Sequence, residues 1–157
     1  MPEQRRENHM PKLGIKRLSP GSLFPLRGSG QAIGLDLHSV QLDKNGQSYK
    51  TLLQPHKVNL ISTGIALEIP EGYYGRIAPR SGLSIKGVDV LAGVIDRDYT
   101  GEIKVVLINH TEDVVIINHQ DRIAQLIMEK ADILEIKPID ELSQTNRGSK
   151  GFGSTGE

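Results

Sequence analysis

The chain has 157 residues, 37% hydrophobic and 24% charged, enough for one domain with a buried core. Lys and Arg total 19, as do Asp and Glu, so no overall field draws the protein to nucleic acid or an anionic membrane, and any anion site must be local. The absence of cysteine removes disulfides, thiolate zinc sites and a cysteine nucleophile, and no apolar run reaches membrane-spanning length.

Residues 1–12 are charged and unpatterned and read as a flexible leader. Glu3 and Glu7 argue against a signal or transit peptide, so a soluble intracellular protein, in cytoplasm or nucleus, is the expectation. The body, residues 13–142, carries short alternating segments that predict strands: Leu35-Leu37, Ile65-Leu67-Ile69, Ile103-Val105-Leu107, Val114-Ile116 and Ile133-Glu135-Lys137. Asn45-Gly46, Pro70-Glu71-Gly72 and the run from Asn109 to Asp113 are turn chemistry between them. Helical periodicity is confined to a short piece around Ser81 to Lys86. An all-β domain with only 4% aromatic residues has few large anchors and gains further burial by oligomerising.

Five segments carry candidate chemistry. In Ala32-Ile33-Gly34-Leu35-Asp36-Leu37, strand alternation puts Asp36 on the face opposite Leu35 and Leu37, as a solvent-facing acid or a functional one. In Ala78-Pro79-Arg80-Ser81-Gly82-Leu83-Ser84, Ser81 is a natural helix cap, yet a helix start beside an arginine fork also suits phosphate. In the run from Gly93 to Gly101, Asp96 and Asp98 share a face if the stretch is extended, and one could position a water; the same pair is also ordinary turn chemistry. Tyr99 is open between cross-strand packing and a platform for a sugar. Gln125 interrupts the apolar strand that follows Asp121-Arg122 and needs a hydrogen-bonding partner if buried.

The last segment, residues 143–157, is rich in glycine and contains Arg147, Lys150, Phe152, Ser154 and Thr155. It reads either as a flexible tail or as a clamp for a molecule with phosphates and a flat ring. Gly148, Gly153, Ser154 and Thr155 nearly spell a Walker A loop, but the lysine is missing and no helix can follow, which excludes that fold.

Taken in this order, the five segments resemble the five motifs of the trimeric dUTP pyrophosphatase (dUTPase) family, covering Ala32 to Gly156. The resemblance implies an all-β, jelly-roll-like distorted barrel of the β-clip kind with one short helix. It implies a homotrimer in which the C-terminal arm of one chain is swapped onto a neighbouring site. The reaction implied is hydrolysis of dUTP to dUMP and pyrophosphate, which keeps uracil out of DNA and supplies dUMP for dTMP synthesis. Partners would be dUTP and two further copies, with no nucleic acid and no membrane.

Carried over by motif, Asp96 matches the general base for a water attacking the α-phosphorus in line. Arg80, Ser81 and Gly82 match phosphate contacts, as do Gln125 and, in the arm, Arg147, Gly153, Ser154 and Thr155. Gly93, Val94 and Ile95 occupy the place of the main chain that reads uracil, Tyr99 that of the deoxyribose platform, and Phe152 that of a ring stacked on the base; Lys104, on the strand leaving the hairpin, would reach the nucleotide. Mg²⁺ is the implied cofactor, held by the triphosphate and by waters, with Asp36 reaching it through water. The five histidines, His9, His38, His56, His110 and His119, have no ligand spacing and receive no metal role. Two departures bear on the backbone: Gln120 and Lys150 stand where the pattern has glycine, so a positive φ at either implies strain of about 1 kcal/mol or more. Among rivals, dCTP deaminase resembles the family in fold and would release ammonia; a nucleotide sensor would bind without turnover.

Overall fold

The computed structural model describes residues 10–151 and is almost entirely β. In chain order the strands are β1 (Gly14–Arg17), β2 (Leu26–Arg27), β3 (Leu35–His38), β4 (Thr51–Leu53), β5 (Val58–Glu68) and β6 (Tyr73–Ala78). The helix α1 (Ser81–Ser84) follows, then β7 (Val88–Leu91), β8 (Val94–Ile95), β9 (Glu102–Asn109), β10 (Val115–Ile117) and β11 (Arg122–Lys130). A four-stranded sheet runs β1-β5-β9-β7, a five-stranded sheet runs β2-β3-β11-β6-β8, and β10 pairs with β4. All pairings are antiparallel, in the jelly-roll manner expected.

One core joins the three sheets. Ile61, Ile65, Leu67, Val88, Ile103, Val105 and Leu107 come from the first; Leu37, Ile77, Ile123, Ala124 and Leu126 from the second; Leu53 and Ile117 from the third. Period-two alternation explains the selection: Ile103, Val105 and Leu107 are wholly buried, while Lys104 between them is exposed. Thr63 and Asn109, polar and buried, are bonded as their desolvation demands. Thr63 Oγ1 donates to the Ile103 carbonyl (2.5 Å), and Asn109 Nδ2 donates to the Leu53 carbonyl (2.9 Å).

Several expectations change. Val114 and Ile116 are half exposed, and the inward pair of β10 is Val115 and Ile117, so the strand lies one residue later and its phase is reversed. The alternation at Ile133-Glu135-Lys137 forms no strand, because among the described residues no neighbour pairs with it; Ile133 is 98% exposed. The helix is one turn, capped by Arg80 rather than Ser81 and without a side-chain cap bond. Of the two readings left open for Asp96 and Asp98, turn chemistry holds rather than a shared extended face, with the Tyr99 N–H bonded to the Asp96 carbonyl (3.1 Å). Of the two glycine replacements, Gln120 adopts φ 64° and carries the strain, whereas Lys150 is not among the residues with positive φ. The Gln120 side chain compensates in part, donating to the Gly21 carbonyl (3.1 Å).

Candidate active site

Two groups of polar residues stand out, and each is assembled by neighbouring strands. The first lies on β3 and β11 and in the turn before α1. Asp36 is opposite Gln125 in the β3–β11 ladder, and Gln125 is opposite Ala78 in the β11–β6 ladder, so three elements meet at one amide. Gln125 Nε2 donates to the Pro79 carbonyl (2.8 Å), the partner its position requires. Its Oε1 fills the space where a Cβ on Gly34 would stand.

Asp36 is not a free surface acid. Arg80 Nε donates to Asp36 Oδ1 (2.8 Å), and Arg122 Nη1 lies 3.5 Å from Oδ2. Arg80 Nη1 also donates to the Arg122 carbonyl (3.2 Å). The Asp36 and Arg80 side chains retain only 17% and 23% of their exposure, so the pair is partly desolvated and strongly oriented. One carboxylate between two guanidiniums leaves a net positive charge, and that surplus suits a polyanion. His38 shares this face. Burial holds its pKa below the usual histidine value, opposed by Asp36 and reinforced by Arg122 and Arg80, and its Nδ1 has no hydrogen-bond partner among the described residues. Ser81 and Gly82 follow Arg80 at the exposed first positions of α1, where amides have no intrahelical acceptor.

The second group is the hairpin from β7 through β8 to β9. Gly93 is dictated by close approach: its carbonyl accepts from the Ile77 N–H (2.7 Å), and a Cβ there would stand 2.5 Å from the Ile77 carbonyl oxygen. Ala92 beside it adopts φ 51°. The hairpin then opens a cleft of about 360 Å³ lined by Leu60, Val94, Ile95, Asp96, Tyr99, Glu102 and Lys104. The Tyr99 hydroxyl donates to the Glu102 carbonyl (2.7 Å), which fixes the ring at the cleft edge. The Glu102 carboxylate accepts from the Gly64 N–H (3.0 Å) and lies 3.8 Å from Lys104 Nζ. A larger cleft of about 1170 Å³ also touches Asp96, but its lining holds Glu68, Glu71, Asp98 and Asp132 with Arg97 as its one arginine. Carboxylates outnumber cations in that lining, an unfavourable field for a polyanion.

The structure thus unites Asp36, Arg80 and Gln125, and separately Gly93, Val94, Ile95, Asp96, Tyr99 and Lys104; neither cleft contains a member of the first group. Arg147 sits in a turn of the arm, its Nε donating to the Lys150 carbonyl (2.9 Å). Phe152, Gly153, Ser154 and Thr155 lie outside the described residues. Arg122 was not singled out by its residue type. Its signal is the adjacency of Ile123 and Ala124, both fully buried, which breaks strand alternation and marks a bulge. Among the described residues no group of three acidic or histidine side chains could hold a metal, and no helix is long and apolar enough to cross a membrane.

The chain is thus an antiparallel jelly-roll β domain that gathers two arginines about one carboxylate and carries a separate cleft beside a close-packed hairpin. The dUTPase family model matches residues 22–156. Deoxyuridine 5'-triphosphate nucleotidohydrolase of Paramecium bursaria Chlorella virus 1 is 47% identical over 149 residues, 94% of this chain and 99% of the relative. The protein of the same name from Candida albicans is 48% identical over 143 residues, 88% of this chain and 84% of the relative. Among solved structures, a mutant dUTPase of Staphylococcus bacteriophage 80alpha with dUpNHpp superposes with a TM-score of 0.78 at 27% identity, covering 93% of this chain and 99% of that one. A mutant dUTPase from phage phi11 of S. aureus, described with a structural Mg(II) ion, gives a TM-score of 0.72 at 25% identity, covering 83% and 97%. The chain belongs to the dUTPase family.

Proposed function

We propose that this protein hydrolyses dUTP to dUMP and pyrophosphate as a homotrimer with its active sites between subunits. The observation that carries the reading is the split of the site. A phosphate-binding cluster around Arg80 and a nucleoside cleft around Asp96 occupy different parts of one chain, and juxtaposing two copies completes both. The outward face of the four-stranded sheet supports this. Leu60, Val106 and Leu91 form a cross-strand row there, with Leu60 62% exposed, and Leu60 also lines the Asp96 cleft. An exposed apolar face continuous with a half-site calls for a second copy.

Within the completed site, the Asp96 carboxylate accepts a hydrogen bond from a water and takes its proton as the oxygen attacks the α-phosphorus in line, with pyrophosphate leaving opposite. Arg80, with the amides and hydroxyl at Ser81 and Gly82, holds the phosphates, and Gln125 adds a polar contact. Main chain from Gly93 to Ile95 reads the uracil edge; close approach excludes a methyl at C5, and the exocyclic amine of cytosine mismatches the donors and acceptors. Tyr99 packs on the deoxyribose and excludes a 2′-hydroxyl, with Lys104 beside it. Residues 143–157 act as the arm that closes a neighbour's site, Arg147, Gly153, Ser154 and Thr155 on the phosphates and Phe152 on the base, while residues 1–12 stay outside the domain of residues 13–142.

The residues fit Mg²⁺ at one remove. Both Asp36 oxygens face guanidiniums, yet a carboxylate has spare lone pairs that can accept a hydrogen bond from metal-bound water. Such an ion would supply charge neutralisation on the triphosphate, with Asp36 holding it through water. The test is a panel of dUTP, dTTP, dCTP and UTP with Mg²⁺, scoring pyrophosphate: release from dUTP alone is expected. Asp96→Asn should keep affinity for dUpNHpp and lower turnover by about 10²–10⁴. Unchanged turnover removes Asp96 from its role, and ammonia in place of pyrophosphate removes the reaction.

A further inference from the structure

We propose that Arg122 is a positioning residue of the phosphate site, acting on Arg80 through the shared Asp36. Regular antiparallel pairing would give Arg122 the same face as Ala124, toward the core. The register instead shifts between Arg122 and Ala124, Ile123 and Ala124 both turn inward, and Arg122 comes opposite His38 on the face that carries Asp36 and Gln125. A bulge that redirects one side chain next to a site is a recurrent device. Here it costs an interrupted ladder and yields two contacts, since the Arg122 carbonyl accepts from Arg80 Nη1 and its guanidinium faces Asp36 Oδ2.

The electrostatic consequence follows from counting charges. With Arg122 present, one carboxylate restrains two cations, so Arg80 is oriented without being neutralised. Without Arg122, Asp36 neutralises Arg80 alone, and the attraction for phosphate drops. The Arg122 side chain is 56% exposed, so its removal opens no hole in the core. A purely structural role would therefore leave triphosphate binding unchanged at a given stability.

This inference rests on the dUTP reading, and wild-type protein that binds no dUpNHpp would defeat that reading before any variant is compared. With wild-type binding established, Arg122→Gln is expected to weaken dUpNHpp affinity about tenfold and to raise KM with kcat within about twofold. Arg122→Lys, which keeps the charge, is expected to recover most of the loss. In an Asp36→Asn background the Arg122→Gln change should add little, because both act on the same arginine. Wild-type affinity in Arg122→Gln, a lysine variant as weak as the glutamine one, or full additivity with Asp36→Asn would each overturn the proposal. Thermal unfolding checks each variant, and Arg122→Ala replaces the glutamine variant if that one does not fold.

Discussion

Gly93 is the residue whose side chain, or lack of one, constrains the site most tightly. Its amide plane sits against β6, and a methyl group would have to displace the Ile77 carbonyl, which is backbone and cannot rotate away. Gly93→Ala should therefore destabilise the fold by about 1–3 kcal/mol, the usual cost of overpacking. It should also reduce kcat/KM for dUTP by more than stability alone explains, because the main chain it shifts leads into Val94, Ile95 and Asp96 of the cleft proposed to hold the nucleoside. Thermal melts and kinetics on the same preparation check this, and an unchanged Tm would mean that β8 gives way freely. Gln120 shows the complementary case, a side chain accepted at positive φ where its amide finds the Gly21 carbonyl. Its residue type made the question visible in the sequence, but only the backbone angle answered it.

At the scale of elements, the β6–β11 ladder carries a polar cross-strand set that the sequence did not announce. Tyr74 lies opposite Glu129 and its hydroxyl donates to that carboxylate, while Arg76 Nε donates to the other oxygen (2.7 Å). The Tyr74 hydrogen bond, followed by that of Arg76, holds the Glu129 carboxyl below its usual pKa; the same bond to Glu129 raises the Tyr74 phenol. A carboxylate depressed in the folded state binds fewer protons than in the unfolded chain. Its contribution is therefore present above the unfolded value of about 4.3 and lost as pH falls through the lower folded value. Glu129→Gln should flatten the stability–pH profile below about pH 4.3 and leave neutral-pH activity intact. Denaturant titrations at several pH values measure this, and an unaltered acid limb would show that the pair contributes nothing.

For the whole molecule, the decisive question is what covers the outward face of the four-stranded sheet. Leu60→Glu places a charge in the row with Val106 and Leu91 without touching the core. The expected outcome is a folded monomer by light scattering and circular dichroism, with kcat/KM for dUTP reduced by about 10² or more, since each half-site loses its complement. An intact trimer, or a monomer of full activity, would contradict the placement of the site between subunits.

Much was legible in the chain itself. Alternation at Ile65-Leu67-Ile69 and Ile103-Val105-Leu107 identified core strands, because a two-residue period leaves one face to bury. The order of five short motifs pointed to the family, since Asp36, Arg80, Asp96, Gln125 and the glycine-rich arm each need a particular chemistry. Tertiary structure alone decided the rest: that Val115 and Ile117 face inward rather than Val114 and Ile116, that Asp96 and Asp98 lie in a turn, and that a bulge delivers Arg122 to Asp36. Local pattern states which residues resist water. Register, turn and bulge arise from strands distant in sequence, and those pairings determine which of the candidate charges come to stand side by side.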